Sequence, residues 1–177
     1  ELIMKAASAM YRAKAAGRNT IRFFHPRMQA EADERLRIAK DLRRALECNE
    51  LTLLFQPQVH AQSGRVVGAE ALVRWQHPER GLISPDGFIE IAEETGDIVE
   101  IGNWVLEEAC AAGRLLVEQQ GEPLCIAVNI SPRQFRDPNL IATMRRSLRE
   151  AQLDPSNIEI EITETMLMQD VAAAQAT

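Results

Sequence analysis

Cysteine and histidine are scarce in this sequence, with three of each among 177 residues. Cys48, Cys110 and Cys125 lie far apart, are odd in number and form no Cys-x-x-Cys pair. That argues against a disulfide framework or a zinc knuckle and fits a reducing cytoplasm. With so few histidines, a His-rich metal site is disfavoured. Any metal must sit on oxygen ligands, which favours Mg²⁺ or Mn²⁺. No apolar run reaches the roughly 18 residues that a membrane-spanning helix needs, so no membrane contact is expected within the chain. The opening Glu1-Leu2-Ile3-Met4-Lys5 has no basic stretch before an apolar core, so no signal peptide is expected, and the chain reads as one that begins mid-protein. Basic residues are outnumbered, 20 against 26, for a net charge of −6. That argues against a broad DNA or RNA surface but leaves room for a small phosphate-bearing ligand held by one or two arginines.

What is present is the balance of a soluble globular protein: 46% hydrophobic and 26% charged residues, enough for one domain or parts of two. Leu2, Ala6, Met10 and Ala13 share a helical face over residues 2–16, and Gly17 follows as a stop. Asn19–Phe24 reads as a short strand. About 25 residues cannot enclose a core, so this piece must dock on something else. A second helix spans 31–47, with Ile38, Ala39, Leu42, Ala45 and Leu46 as its stripe. Leu51–Val59 and Val66–Trp75 read as strands joined by a connection too short for a parallel crossover, hence an antiparallel hairpin.

Beyond the hairpin the pattern alternates. Ser84-Pro85 opens a helix that Thr95-Gly96 closes. Asp97-x-x-Glu100 resembles a capping box before a long stripe of Ile98, Ile101, Val105, Ala109, Ala112 and Leu116. Leu124–Ile130 is a strand, Ser131-Pro132-Arg133-Gln134 caps a helical turn, and Asp137-Pro138 opens a helix. Ile158–Thr163 is the last strand before an Ala-rich end. Strands alternating with helices predict an α/β fold with parallel strands and crossover helices. Three parallel strands beside one antiparallel strand make half of a (β/α)8 barrel of TIM type, which needs about 250 residues. The second half is therefore expected to lie outside this chain.

Ile158-Glu159-Ile160-Glu161-Ile162-Thr163-Glu164 alternates isoleucine with polar residues. Because strand side chains alternate in direction, the isoleucines can pack on helices while Glu159, Glu161 and Thr163 point into a barrel. Buried carboxylates are costly unless paired or metal-bound. The same pattern also fits an edge strand with a solvated acidic face. Glu70 sits inside an otherwise apolar strand, and Asn129 ends another. Glu70, Asn129 and Glu161 are each placed near the carboxyl end of a parallel strand, where barrel enzymes build their sites. Two carboxylates and an amide oxygen suit a hard divalent cation. The alternative is three unrelated buried polar groups.

Glu70-Ala71-Leu72 followed by Val73-Arg74-Trp75 resembles the signature of the EAL family of cyclic-di-GMP phosphodiesterases. Phe55-Gln56-Pro57, Pro85-Asp86-Gly87-Phe88-Ile89, Ala92-Glu93-Glu94-Thr95-Gly96, Asn129-Ile130-Ser131 and Glu161-Ile162-Thr163-Glu164 resemble further family motifs, in order, from about residue 34 to the end. Ala9-Met10-Tyr11-x-Ala13-Lys14-x-x-Gly17-Arg18-Asn19 is similar to the end of a GGDEF diguanylate cyclase domain. The resemblances imply a GGDEF remnant at 1–25, a linker at 26–33 and a truncated EAL domain at 34–177. They imply metal-dependent hydrolysis of cyclic-di-GMP to the linear dinucleotide pGpG in a full-length homodimeric parent, in the cytoplasm or anchored through a segment elsewhere. Glu70, Asn129 and Glu161 are implied as ligands of Mg²⁺ or Mn²⁺. Glu70, Glu161 and Glu164 are the implied catalytic group, Glu164 by positioning a loop. Gln56, Leu72 and Arg74 are implied to contact substrate, Arg74 through a phosphate. Phe55 stands where the family usually has Tyr, and Glu90 where Pro is common. The family's later Asp pair, Lys, Glu and Gln fall outside this chain. A degenerate domain that binds cyclic-di-GMP without cutting it is the alternative, and a barrel that only mediates dimerisation is a third reading.

Overall fold

The computed structural model describes residues 2–15, 17, 19–21, 23–120 and 124–162. Helix α1 spans Leu2–Ala15, and Gly17 follows it with φ 92°, the left-handed conformation that glycine adopts at no steric cost. The strand expected at Asn19–Phe24 does not form among its described residues. Asn19 is itself left-handed (φ 44°), and none of the described residues of this stretch pairs with another strand, so its backbone has no ladder to join.

Helix α2 spans Pro26–Ala45 and so begins earlier than its apolar stripe suggested. Pro26 fills the first helical position, and His25 caps it through Nδ1, which accepts from the Arg27 amide at 3.3 Å. The stretch read as a linker at 26–33 thus forms the opening turns of α2. Leu42 and Ala45 are fully buried at its far end. Ion pairs flank this apolar contact: Glu34 with Arg80, Arg35 with Glu90 (3.1 Å) and Glu94 (3.0 Å), and Arg43 with Asp97 (3.7 Å); the buried His77 ring also meets Asp41 at hydrogen-bond distance (3.4 Å).

Strands β1 (Leu51–Val59) and β2 (Val66–His77) form the expected antiparallel hairpin. A short β3 (Gly81–Ile83) adds antiparallel to the end of β2 and was not foreseen. The segment opened by Ser84-Pro85 is a single 3-10 turn, Pro85–Gly87, followed by helix α3 (Ile89–Thr95). Gly96 ends α3 at φ 97°, as its position predicts. Helix α4 (Ile98–Gln120) then crosses to β4 (Cys125–Asn129). Asp97 accepts a hydrogen bond from the Thr95 hydroxyl at 2.7 Å, bracing the corner between α3 and α4. Helix α5 (Pro132–Phe135) and helix α6 (Leu140–Ala151) carry the chain to β5 (Ile158–Glu161). The expected end of β5 at Thr163, Glu164 and the Ala-rich tail lie outside the described residues.

The sheet order is β1-β2-β4-β5, with β2, β4 and β5 parallel and β1 antiparallel. Its helix-facing side carries Ala71, Trp75, Ile126 and Val128, which pack with Ile98, Ile101, Val105, Leu106 and Ala109 of α4. Trp75 is fully buried, meets Phe88 edge-on (5.8 Å, 78°) and donates from Nε1 to Glu50 Oε2 at 2.9 Å. That bond satisfies the indole N–H, which burial would otherwise penalise. The three cysteines are free, and burial pushes the Cys110 thiol up to about 11, leaving it a neutral packing group.

Leu42 tests whether α2 belongs to this core. Leu42→Ala is expected to cost about 2–5 kcal/mol by the range for buried leucines. Leu36→Ala, on the exposed side of the same helix, is expected to stay within about 0.5 kcal/mol. Urea unfolding curves of the two variants should separate accordingly; equal midpoints would show that α2 is not packed as described.

Candidate active site

Strand alternation divides the sheet into two chemical faces. The side away from α4 presents Thr52, Leu54 and Gln56 from β1. Glu70, Leu72 and Arg74 from β2 share that side, as do Ala127 and Asn129 from β4 and Glu159 and Glu161 from β5. Register brings them together. Gln56 lies directly opposite Glu70, Leu54 opposite Leu72, and Thr52 opposite Arg74. Glu70 is level with Ala127, which is fully buried, and Asn129 is level with Glu161.

The structure therefore gathers three of the expected residues at one place. Asn129 Nδ2 donates to Glu70 Oε1 at 2.7 Å, joining β2 to β4 across the face. Glu161 stands on the next strand, and the Ile130 amide donates to the Glu161 carbonyl at 3.0 Å, continuing the ladder past the end of β4. Burial, the Glu70 carboxylate and then Glu159 raise the Glu161 carboxyl above its ordinary value. Two carboxylates thus face each other across an amide, an arrangement that repels itself and is relieved by a proton or a cation. Asn129 bonds through its NH₂ group, so its Oδ1 is the atom able to join the carboxylates as a ligand. An all-oxygen set of this kind fits a hard divalent ion. Among the described residues no three His, Cys, Asp or Glu side chains converge to complete a cation site. A cation held here would need further ligands from other residues.

One expectation needs correcting. Asn129 and Glu161 are the last residues of β4 and β5, but Glu70 is well inside β2, which runs on to His77. Only Gly68–Ala71 of β2 pair with β4; beyond that point β2 is held by β1 and β3. Glu70 is near the end of the parallel ladder, not of the strand.

The remaining expected residues extend the face along the hairpin. Gln56 is exposed, and Leu72 and Arg74 are half-buried. Arg74 Nη1 donates to the Val73 carbonyl at 2.9 Å. Four residues place Arg74 roughly 13 Å from Glu70 along the strand. Between the polar rows lies an apolar step of Leu72 and the exposed Leu54. Leu54 was not singled out from sequence, although counting two back from Gln56 puts it on this face. Glu164 lies outside the described residues.

The turn after Asn129 is also ordered by side chains that sequence reading treated only as a cap. Ser131 Oγ accepts from the Gln134 amide at 3.2 Å, and Gln134 Oε1 accepts from the Ser131 amide at 3.1 Å, a complete capping box. Arg133 donates from Nη1 to the Glu93 carbonyl at 2.8 Å, tying the same turn to α3.

Comparison with known proteins agrees with this architecture. The chain is 45% identical over 174 residues to the bifunctional diguanylate cyclase/cyclic di-GMP phosphodiesterase MucR of Pseudomonas aeruginosa, covering 98% of the chain and 25% of that protein. It is 39% identical over 171 residues to the cyclic di-GMP phosphodiesterase PdeR of Escherichia coli, covering 96% of the chain and 25% of PdeR. A solved structure of the PaMucR phosphodiesterase in complex with c-di-GMP superposes with a TM-score of 0.76 at 44% identity, covering 79% of the chain and 57% of that structure. The chain thus spans about a quarter of the length of these curated relatives. The EAL domain profile matches residues 39–177, and with relatives this similar along nearly the whole chain, the protein belongs to the EAL domain family.

Proposed function

We propose that this chain supplies part of a metal-dependent phosphodiesterase site that hydrolyses cyclic-di-GMP to linear pGpG in a full-length protein. The observation that carries the proposal is the convergence of Glu70, Asn129 and Glu161, two carboxylates and an amide on adjacent parallel strands. The names of MucR and PdeR and the c-di-GMP complex of PaMucR support the choice of substrate. Glu70, Asn129 and Glu161 would hold Mg²⁺ or Mn²⁺. Bound there, the metal would activate water and stabilise charge developing at phosphorus. Gln56, opposite Glu70, would accept or donate to the nucleotide beside that centre. Leu72 with Leu54 would offer apolar surface to it. Arg74, whose guanidinium fork suits a phosphate, would grip the far side of the substrate. Glu164 is proposed to position a loop. In MucR the same alignment runs through a protein named for both synthesis and breakdown, which supports reading residues 1–25 as the end of a GGDEF domain, 26–33 as the junction and 34–177 as EAL domain.

Glu70→Gln keeps the shape and removes the charge. In the full-length protein it is expected to abolish cyclic-di-GMP hydrolysis in saturating Mg²⁺; turnover within a few-fold of wild type would remove Glu70 from the metal set. A wild type that binds the nucleotide without cleaving it would instead support a sensor role. Arg74→Ala is expected to raise the nucleotide Kd about tenfold or more, as loss of a charge-assisted contact should, while metal affinity persists.

Glu161 makes a pH-dependent prediction. Its raised pKa means the folded state takes up a proton more readily than the unfolded chain. Without metal, stability should therefore rise as pH falls through the folded value toward 4.5, the ordinary glutamate value. A bound divalent ion requires the carboxylate, so metal-induced stabilisation should fade over the same window. Glu161→Gln is expected to stabilise the metal-free protein by roughly 0.2–1 kcal/mol of relieved cross-strand repulsion, read as a higher melting temperature, and to erase the shift caused by Mn²⁺. A metal-free protein less stable than wild type would contradict the repulsion described here.

A further inference from the structure

We infer that Gln134 is a positioning residue for Asn129, locked in place by the absence of a side chain at Gly102. The inference rests on the reading of Asn129 as a metal ligand. Asn129 ends β4, and only Ile130 separates it from Ser131. On one side this junction is fastened by the ladder, through the Ile130 amide and the Glu161 carbonyl. On the other side it is fastened by Gln134, whose Oε1 accepts from the Ser131 backbone N–H and whose own backbone N–H donates to Ser131 Oγ.

A glutamine at a helix start is normally exposed and needs no support. This one is only 3% exposed. Its amide end is pressed against the backbone of α4 at Gly102, where a Cβ would overlap Gln134 Nε2. The same Nε2 has no hydrogen-bond partner among the described residues. A buried donor without a partner is unfavourable, so this side chain carries a cost that an apolar one of the same size would not. What an apolar side chain cannot do is accept the Ser131 amide. The glutamine therefore serves the geometry of the turn at some expense to the packing around it. Arg133, anchored to the Glu93 carbonyl, holds the neighbouring position so that the turn cannot slide along α4. Asn129 is thereby held within reach of Glu70.

Gln134→Met tests this directly. It preserves volume, removes the unpaired donor and removes the acceptor for Ser131. Gly102→Ala is a second variant that expels the glutamine without changing it. In the full-length protein, Mn²⁺ affinity is measured by calorimetry, together with thermal melts and hydrogen exchange at the Ser131 amide. Ser147→Ala serves as a control for general loosening, since Ser147 is buried on α6 and bonded to the Thr143 carbonyl (3.1 Å). Gln134→Met is expected to speed exchange at Ser131 and weaken Mn²⁺ binding about tenfold, as loss of a group that orients a ligand does. Its melting temperature should stay within roughly 5 °C of wild type. Ser147→Ala should lower the melting temperature and leave Mn²⁺ affinity unchanged. Wild-type affinity in Gln134→Met, or equal weakening in Ser147→Ala, would overturn the assignment. If wild type and Glu70→Gln bind Mn²⁺ alike, it is the metal reading that fails. Exchange at Ser131 still decides the lock, because faster exchange in Gln134→Met upholds it and unchanged exchange overturns it.

Discussion

The parallel register of β2, β4 and β5 is the constraint on which the site depends. Pairing Glu70 with Ala127 and Asn129 with Glu161 puts three chemically useful side chains on one face. It also turns Ala71, Ile126 and Val128 toward α4 on the other. A one-residue slip of β5 would exchange the faces, burying Glu159 and Glu161 under helices and exposing Ile158 and Ile160. The apolar contact with α4 and the polar cluster are thus two consequences of one register, and the energy of the first enforces the second.

That enforcement has a cost visible in the electrostatics. Glu161 is held beside Glu70 and Glu159, and its carboxyl is pushed toward the neutral form. Core packing tolerates this because Trp75, Phe88, Ile101, Leu106, Ile126 and Val128 are each almost completely buried beneath it. Sites that need like charges together are commonly supported by a well-packed scaffold rather than by their own contacts.

Much of this was legible in the sequence, because the informative patterns have a period of two. Isoleucine alternating with glutamate over 158–161 predicted both the strand and its two faces. The short connection at Ser63-Gly64 predicted the hairpin, and Thr95-Gly96 predicted the end of α3. Features that depend on a partner were not legible. Gly81–Ile83 becomes a strand only because β2 runs long enough to receive it. Asn19–Phe24 looks like a strand, but among the described residues it finds no strand to pair with. The start of α2 at Pro26 rests on a histidine cap, which is not a usual capping residue. Glu70 was placed too near the end of its strand, because sequence cannot show where one partner stops and another continues. Gln134 reads from sequence as an ordinary cap, and only the notch at Gly102, 32 residues away, gives it further meaning.

The elements around the sheet are attached in two different ways, and the difference bears on how the site can respond. The turn carrying Asn129 is held by the ladder bond to the Glu161 carbonyl and by a half-buried capping box where water competes poorly, with an exposed bond from Arg133 to the Glu93 carbonyl beside them. Helix α2 is held by an apolar contact at Leu42 and Ala45, with Ile38 and Leu46 beside them, bordered by ion pairs whose side chains are half-buried to exposed. Exposed pairs contribute little individually and weaken with salt. Displacing α2 therefore requires exposing Leu42 and Ala45 to water, whereas displacing Asn129 requires breaking the capping box or the ladder. Yet α2 grips α3 through Arg35, and α3 grips the Asn129 turn through the Glu93 carbonyl and Arg133. The contacts thus run from α2 through α3 to the turn that carries Asn129, beside the sheet rather than through it.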